Sequence, residues 1–375
     1  MDMPIDVGAL PPAAQKLLDA GAPLPLRQMA ARGIAPGLKP ADALTVLVLL
    51  SESDVEAIAT TARATLDKIP PPLLNGALGA GLPAAVIDVI APRYARDAAI
   101  MEKILMLPTI ASSTVAAIAV LASEPVSELI AVNEQRMIEH PAIIEKLYMN
   151  KATRMSTADR IIELAVRSGL DLKGIPAFKE AAAAIANELI AEPTLEPTPD
   201  DILFRETDET ARASPVDLAR KEDTHHLDEV TGEEIVDERF LPLHTKLAQM
   251  SVTQKIRRAQ LGTASERLLL VRDKNRLVAS SAIRSPKIQE NEVLMISTSR
   301  NISDEVLRII ASNREWTQSH QIKLNLVMNP RTPFVFSAKL IGFLREHELK
   351  ALAKSKNVSG AIAQAARQHL NRKGK

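Results

Sequence analysis

Apolar residues recur at helical spacing along nearly the whole chain. Ala158, Ile161, Ile162 and Ala165 fall three or four apart, as do Ile118, Leu121 and Ala122, which is the period that lines one face of an α-helix. No strand-like alternation of any length competes. The pattern predicts helices over 12–19, 26–32, 40–50, 53–68, 73–78, 83–90, 97–107, 113–122, 125–132, 142–149, 157–167 and 176–190. A second set follows over 251–261, 264–272, 275–284, 290–298, 304–312, 319–328, 334–344, 348–354 and 360–370. Short connections bearing Pro, Ser or Asn suit antiparallel helix pairs. The expected fold class is all-α.

One stretch occurs twice. Residues 100–122 (IMEKILMLPTIASSTVAAIAVLA) and 143–165 (IIEKLYMNKATRMSTADRIIELA) align without a gap at an offset of 43, with nine identities in 23 positions. A period of that length belongs to paired-helix repeats, in which each unit buries its apolar face against its neighbours. Most identities are apolar or cap positions, so they report packing.

Local signals fix several helix ends. Ser53 and Glu56 have the spacing of a capping box. In the second set the connections share a grammar: Arg284-Ser285-Pro286, Ser312-Asn313-Arg314, Met328-Asn329-Pro330 and Lys356-Asn357-Val358-Ser359. Asn tolerates the conformation that closes a helix, and the following Ser, Thr or Pro opens the next. These asparagines are read as structural. Gly76, Gly79 and Gly81 read as a loop between repeats, and Glu163 with Arg167 as an exposed i, i+4 ion pair.

The period lapses at 192. EPTLEPTPDD has three prolines and no apolar rhythm, and acidic residues continue through TGEEIVDER. Such a stretch buries too little to offset its ordering entropy, so it is expected to be a disordered linker. Ile202-Leu203-Phe204 is an apolar island within it, read as an incidental contact or a short docking motif. The chain divides into a Pro/Gly-rich segment with short helices (1–39), a helical-repeat module (40–191), the acidic linker (192–244) and a second helical-repeat module (245–375).

Charge sharpens that division. The whole chain is formally neutral, with 46 basic and 46 acidic side chains. Counted by segment, 1–191 holds 17 basic and 21 acidic residues, 192–239 holds 5 and 16, and 240–375 holds 24 and 9. The balance is therefore −4, −11 and +15: an acidic tether beside a basic module. Apolar residues make up 46% and aromatics 2%, so cores must be aliphatic. Cysteine is absent, which excludes disulfides, thiolate nucleophiles and Cys-ligated metals. The start of the chain lacks the basic and apolar regions of a cleavable signal, and no apolar tract is long enough for a bilayer. A cytoplasmic protein is expected.

Catalytic signatures are missing: no G-x-S-x-G, H-E-x-x-H, P-loop or calcium-loop spacing. His225-His226 with Glu222, Asp223 and Asp228 could attract a divalent metal, but adjacent histidines in an acidic segment are more often solvated. No catalytic residue, cofactor or metal is expected. Met328-Asn329-Pro330-Arg331-Thr332-Pro333, between alanine-rich and apolar helices, resembles the turn of HEAT-type and leucine-rich-repeat-variant solenoids. The segment 302–333 (ISDEVLRIIASNREWTQSHQIKLNLVMNPRTP) also resembles a family of uncharacterised bacterial proteins built of such repeats. The resemblance is continuous over most of 245–370 and degenerate over 40–190. It implies an α-solenoid fold and a cytoplasmic scaffold role, and brings no catalytic residues. The Cys-ligated cluster of some repeat-variant proteins has no counterpart here.

The functional expectation rests on the basic second module. Arg257, Arg258, Arg272, Lys274, Arg276, Lys350, Lys354, Lys356 and Arg367, with the tail Arg372, Lys373 and Lys375, supply a candidate basic surface. Lys350 and Lys354 lie one turn apart, opposite Leu349 and Leu352. Trp316 is the lone stacking candidate, and Phe334, Phe336 and Phe343 are assigned to the core. The expected function is a non-enzymatic scaffold or adaptor binding a protein partner on helical-repeat surfaces, the basic module favouring an acidic one. The alternative is a solenoid contacting a nucleic-acid backbone, with a HEAT-repeat DNA glycosylase as its enzymatic form; the scarcity of aromatics argues against that form. Anionic lipid is a third partner class. The acidic linker is further expected to fold back on the basic module and compete with an acidic partner.

Overall fold

The computed structural model describes residues 5–373 apart from 187, 189, 191, 221, 222, 230, 356 and 357. Its described residues form 24 α-helices and one small antiparallel hairpin, so the chain is all-α with almost no strand. Two compact units divide it, Met1–Thr153 and Arg154–Lys375.

The first unit contains α1 (Pro12–Leu18), α2 (Leu24–Ala31), α3 (Pro40–Leu50), α4 (Glu56–Asp67), α5 (Pro71–Leu78), α6 (Ala84–Ile90), α7 (Ala98–Leu105), α8 (Ser112–Leu121), α9 (Glu124–Ala131), α10 (Glu134–Glu139) and α11 (Ala142–Met149). Helix α3 is apolar on every side and buried along most of its length, and α1, α4, α5 and α6 pack around it, as an all-round hydrophobic helix requires. Gly76 lies inside α5, not in a loop. A Cβ there would stand 2.7 Å from Pro40 Cγ, so glycine lets α5 close on α3. The box expected from Ser53 and Glu56 does not form: Val55 is the N-cap of α4, and Ser53 Oγ accepts from Val55 N and Arg27 Nη2.

The second unit contains α12 (Met155–Arg167), α13 (Phe178–Ile185), α14 (Pro199–Ala213), the hairpin β1 (His225–Leu227) and β2 (Glu234–Val236), then α15 (Leu241–Gln249), α16 (Val252–Leu261), α17 (Ala264–Leu270), α18 (Arg276–Ile283), α19 (Glu290–Thr298), α20 (Asp304–Ser312), α21 (His320–Met328), α22 (Phe334–Ile341), α23 (Glu346–Lys354) and α24 (Gly360–Lys373). From α15 onward each helix packs on the next but one. One row runs α13, α16, α18, α20, α22 and α24; the other runs α15, α17, α19 and α21. The division between units falls at 153/154, not at 191/192, because α12 and α13 pack against α14, α16 and α18. The second copy of the duplicated stretch, α11 and α12, therefore straddles it.

Asparagines tie successive pairs together. Asn150, at the end of α11, donates from Nδ2 to the Ala119 and Ala122 carbonyls at the end of α8, at 2.9 and 2.8 Å. Asn329, at the end of α21, donates in the same way to Ser297 O and Ser299 O at the end of α19, at 3.0 and 2.8 Å. Each also turns its own chain, Oδ1 accepting from the amide two residues on. Both satisfy helix-end carbonyls that would otherwise be buried without donors. Of the expected turn asparagines, Asn329 is thus structural and Asn313 accepts from Glu315 N; Asn357 lies outside the described residues.

The acidic linker is a correction. Among its described residues, 199–213 form α14, 225–236 the hairpin and 241–249 helix α15. A capping box opens α14: Thr198 Oγ1 accepts from Asp201 N, and Asp201 Oδ2 accepts from Thr198 N at 2.8 Å. Three of the linker's carboxylates, Asp208, Asp223 and Glu234, meet arginines of the same unit, and Glu206 meets Lys246.

Candidate interaction surface

Three of the expected surface cations lie in the interior. Arg257 and Arg258 are 0% and 1% exposed, and the Arg272 side chain is 5% exposed. Arg258 Nε donates to Glu266 Oε1 at 2.5 Å and Nη2 donates to Asp208 Oδ1 of α14 at 2.8 Å. Burial alone would lower its pKa, but Glu266 and Asp208 more than offset that and hold it above the usual arginine value. Arg257 Nη1 donates to Arg154 O at 3.1 Å. Phe204 of the apolar island is stacked against both guanidinium groups, 5.0 and 4.9 Å from its centroid, a cation–π arrangement that suits a buried arginine. Arg272 donates to Asp223 at 2.8 Å and lies 3.5 Å from Glu234. The acidic segment does lie on the basic module, as part of its interior. The opposite charge of the two runs pointed to the contact, but nothing local in the sequence showed that it would be buried and not a solvated association.

The hairpin joins this network. Glu234 accepts from Ser299 Oγ at 2.5 Å and Arg300 N at 2.9 Å. His225 and Glu234 line a polar cavity of about 280 Å³ with His244, Lys255, Arg272 and Asp273. Burial, with Arg272 beside it, pushes His225 down to about 3, so its ring is neutral at pH 7. His226 is exposed on β1, and Glu222 lies outside the described residues.

The remaining expected cations stay outside. Lys274, Arg276, Lys350, Lys354 and Arg367 are exposed, and Lys350 pairs with Glu346 at 2.6 Å. Lys356 lies outside the described residues. The phenylalanines expected in the core are a further correction: Phe334 and Phe343 are 50% and 67% exposed, and Phe336 is half-buried. Inward positions of α22 go to Ser337, Leu340 and Ile341, which turns the aromatic face of the helix out.

Of the three, Phe336 lines a trough in the second unit. A depression of about 420 Å³ is lined by Arg284, Glu305, Arg308, Ile309, Ser312, Asn313 and Phe336. A second, of about 400 Å³, is lined from α13 and the preceding loop by Lys173, Ile175, Phe178, Lys179 and Glu180, and shares Arg284 with the first. The trough therefore crosses α13, α18, α20 and α22. Cations stand on its rim and carboxylates at its base: Arg284 Nε is 3.3 Å from Glu180, and Arg276 Nη2 is 3.7 Å from Glu305. Arg308 also binds Glu305. Lys339 stands over Phe336. Four cations (Lys173, Lys179, Arg284, Arg308) and three carboxylates (Asp171, Glu180, Glu305) line it with the apolar Ile175, Phe178, Ile309 and Phe336, a small cationic excess on a mixed surface; Arg276, Lys339 and Asp304 stand beside it.

The first unit carries an apolar groove of about 210 Å³ lined by Leu105, Met106, Val115, Ile130, Val132 and Met137, with Met106 75% and Val132 81% exposed. Among the described residues no helix is long and apolar enough to cross a membrane. No protein-family model, curated protein or solved structure matches this chain.

Proposed function

We propose that the chain is a non-enzymatic cytoplasmic adaptor, built from two HEAT-like α-solenoid units and binding a protein partner on a face of stacked helices. The observation that carries this reading is the trough across α13, α18, α20 and α22, an open surface with cations on its rim and a mixed apolar and acidic base. Rows of helices packed next-but-one and asparagine ties between the ends of neighbouring helices support the solenoid assignment, and such stacks present long surfaces to extended partners. The cationic excess favours an acidic partner. A nucleic-acid backbone is the second reading; Glu180 and Glu305 on the trough floor oppose a continuous polyanion there.

The test is recovery of partners from the native cell with the intact chain and with an Arg284→Glu/Arg308→Glu variant. The adaptor reading expects at least one protein to be lost on charge reversal and to rebind the intact chain when purified. An identical set recovered by both forms, or recovery that nuclease treatment abolishes, overturns it.

A further inference from the structure

Val132 and Met106 are two of the three most exposed large apolar side chains among the described residues. They are the C-caps of α9 and α7, helices that pack on each other. Each amide is tied back into its own helix, Val132 N to Glu128 O and Met106 N to Glu102 O, so the helix ends hold both side chains at the groove of the first unit. The polar residues of that groove differ in what already binds them. Asn133 Oδ1 accepts from Arg136 N at 3.0 Å, which leaves Asn133 Nδ2 to donate. Arg136 is half-buried, and its guanidinium has no counterion among the described residues. A charge in that position has given up water without gaining a partner. Glu102, the one carboxylate among the lining residues, is exposed and keeps its water.

We infer that the groove binds a medium-chain alkyl carboxylate, its chain against Leu105, Val115, Ile130 and Met137 and its head on Arg136 and Asn133 Nδ2. The site lies in the first unit, away from the trough's residues, and stands or falls apart from the adaptor reading. Shape and chemistry select the occupant together. The walls are aliphatic or thioether and carry no aromatic ring, so they suit a flexible chain better than a stacked ring, and methionine adapts to such a chain. At about 30 Å³ for each water, a groove of about 210 Å³ holds about seven waters, the bulk of roughly seven chain carbons. That is below the ~300–1,000 Å³ of sites for drug-sized ligands. A docked amphipathic helix brings anchors at i, i+3, i+4 and i+7, more than roughly seven carbons can represent. The unpaired guanidinium supplies the preference for an anionic head.

Isothermal titration calorimetry of the intact chain with butanoate, hexanoate, octanoate and decanoate reads the chain. Each buried methylene is worth about 0.8 kcal/mol, about fourfold in affinity. Binding should therefore tighten about fifteenfold from hexanoate to octanoate, and less than about fourfold from octanoate to decanoate, whose last carbons overrun the groove. Octanol and octylammonium read the head, and each should bind at least about tenfold more weakly than octanoate. Arg136→Gln should weaken octanoate about fivefold or more and leave octanol unchanged, whereas Glu102→Gln should not weaken it. Val132→Asp, at an exposed position, should weaken octanoate at least about tenfold with the circular dichroism melt unchanged. Affinity independent of chain length, octanol binding as tightly as octanoate, or octanoate binding untouched by Arg136→Gln overturns the inference. An acetylated peptide ending in leucine that binds more tightly than octanoate also overturns it, and assigns the groove to a protein C-terminus.

Discussion

Arg258→Met tests the central structural claim, that the acidic segment and the basic module are one folded body. The substitution removes a cation that is 1% exposed from between Glu266, 0% exposed, and Asp208, 14% exposed. Removing one member of a buried ion pair costs about 3–5 kcal/mol, because the partner charge stays buried. The geometry places this case at the low end. Glu266 Oε2 keeps its bonds from Thr263 N and Oγ1 at 2.6 and 3.1 Å, so only Oε1 is stripped. Asp208 keeps Arg212 and reaches solvent. A loss of about 3 kcal/mol follows, equivalent to a Tm lower by about 6–12 °C for a unit of roughly 220 residues. Trp316 is the single tryptophan and lies in the second unit, so its fluorescence during urea or thermal unfolding reports that unit. A loss below about 1 kcal/mol at pH 7 would refute the reasoning.

Deleting residues 195–238 should destabilise the second unit by more than Arg258→Met, since it takes Asp208 from Arg258, Asp223 and Glu234 from Arg272, and the buried Phe204; stability unchanged by Trp316 fluorescence, with stronger acidic-peptide binding, would restore the picture of a competing tether. Gly262→Ala places a Cβ 2.5 Å from both Arg258 O and Glu266 Oε2, and should cost about 1–3 kcal/mol by overpacking, read by urea unfolding. Asn150→Ala and Asn329→Ala each strip two helix-end carbonyls of a donor and should each cost about 2 kcal/mol; only Asn329→Ala should shift the Trp316 transition. His225 has a folded pKa depressed from 6.5 to about 3, so the stability it contributes is present above pH 6.5 and is lost as pH falls toward 3. His225→Asn should flatten that acid limb in a pH series of unfolding midpoints, and an unchanged limb would falsify the assignment.

Helix positions were largely legible because they depend on local period and on cap residues, and most expected spans match within a few residues. The asparagine turns were legible for the same reason. The failures share a cause. Asp208, Asp223 and Glu234 read as solvated charge because these partners are 49 to 65 residues away in sequence, and nothing local shows that Arg258 and Arg272 turn inward. Phe334 and Phe343 were assigned inward on hydrophobicity alone, although Leu340 and Ile341 already fill the inner face of α22. For the same reason the trough could not be read from sequence: its basic rim comes from Arg284 and Arg308, not from Arg257, Arg258 and Arg272.

The asparagine ties bear on how the chain finds its structure. They join residues 28 to 32 apart, a short search for a chain of this length. Pairs stitched over such distances can nucleate in several places and grow outward, as expected where contacts are local. The contact from Arg257 to Arg154 spans 103 residues and can close only after the intervening helices, hairpin and buried arginines are in register. It is an ending of folding and not a beginning, so substitutions at Arg257 should hasten unfolding far more than they slow folding.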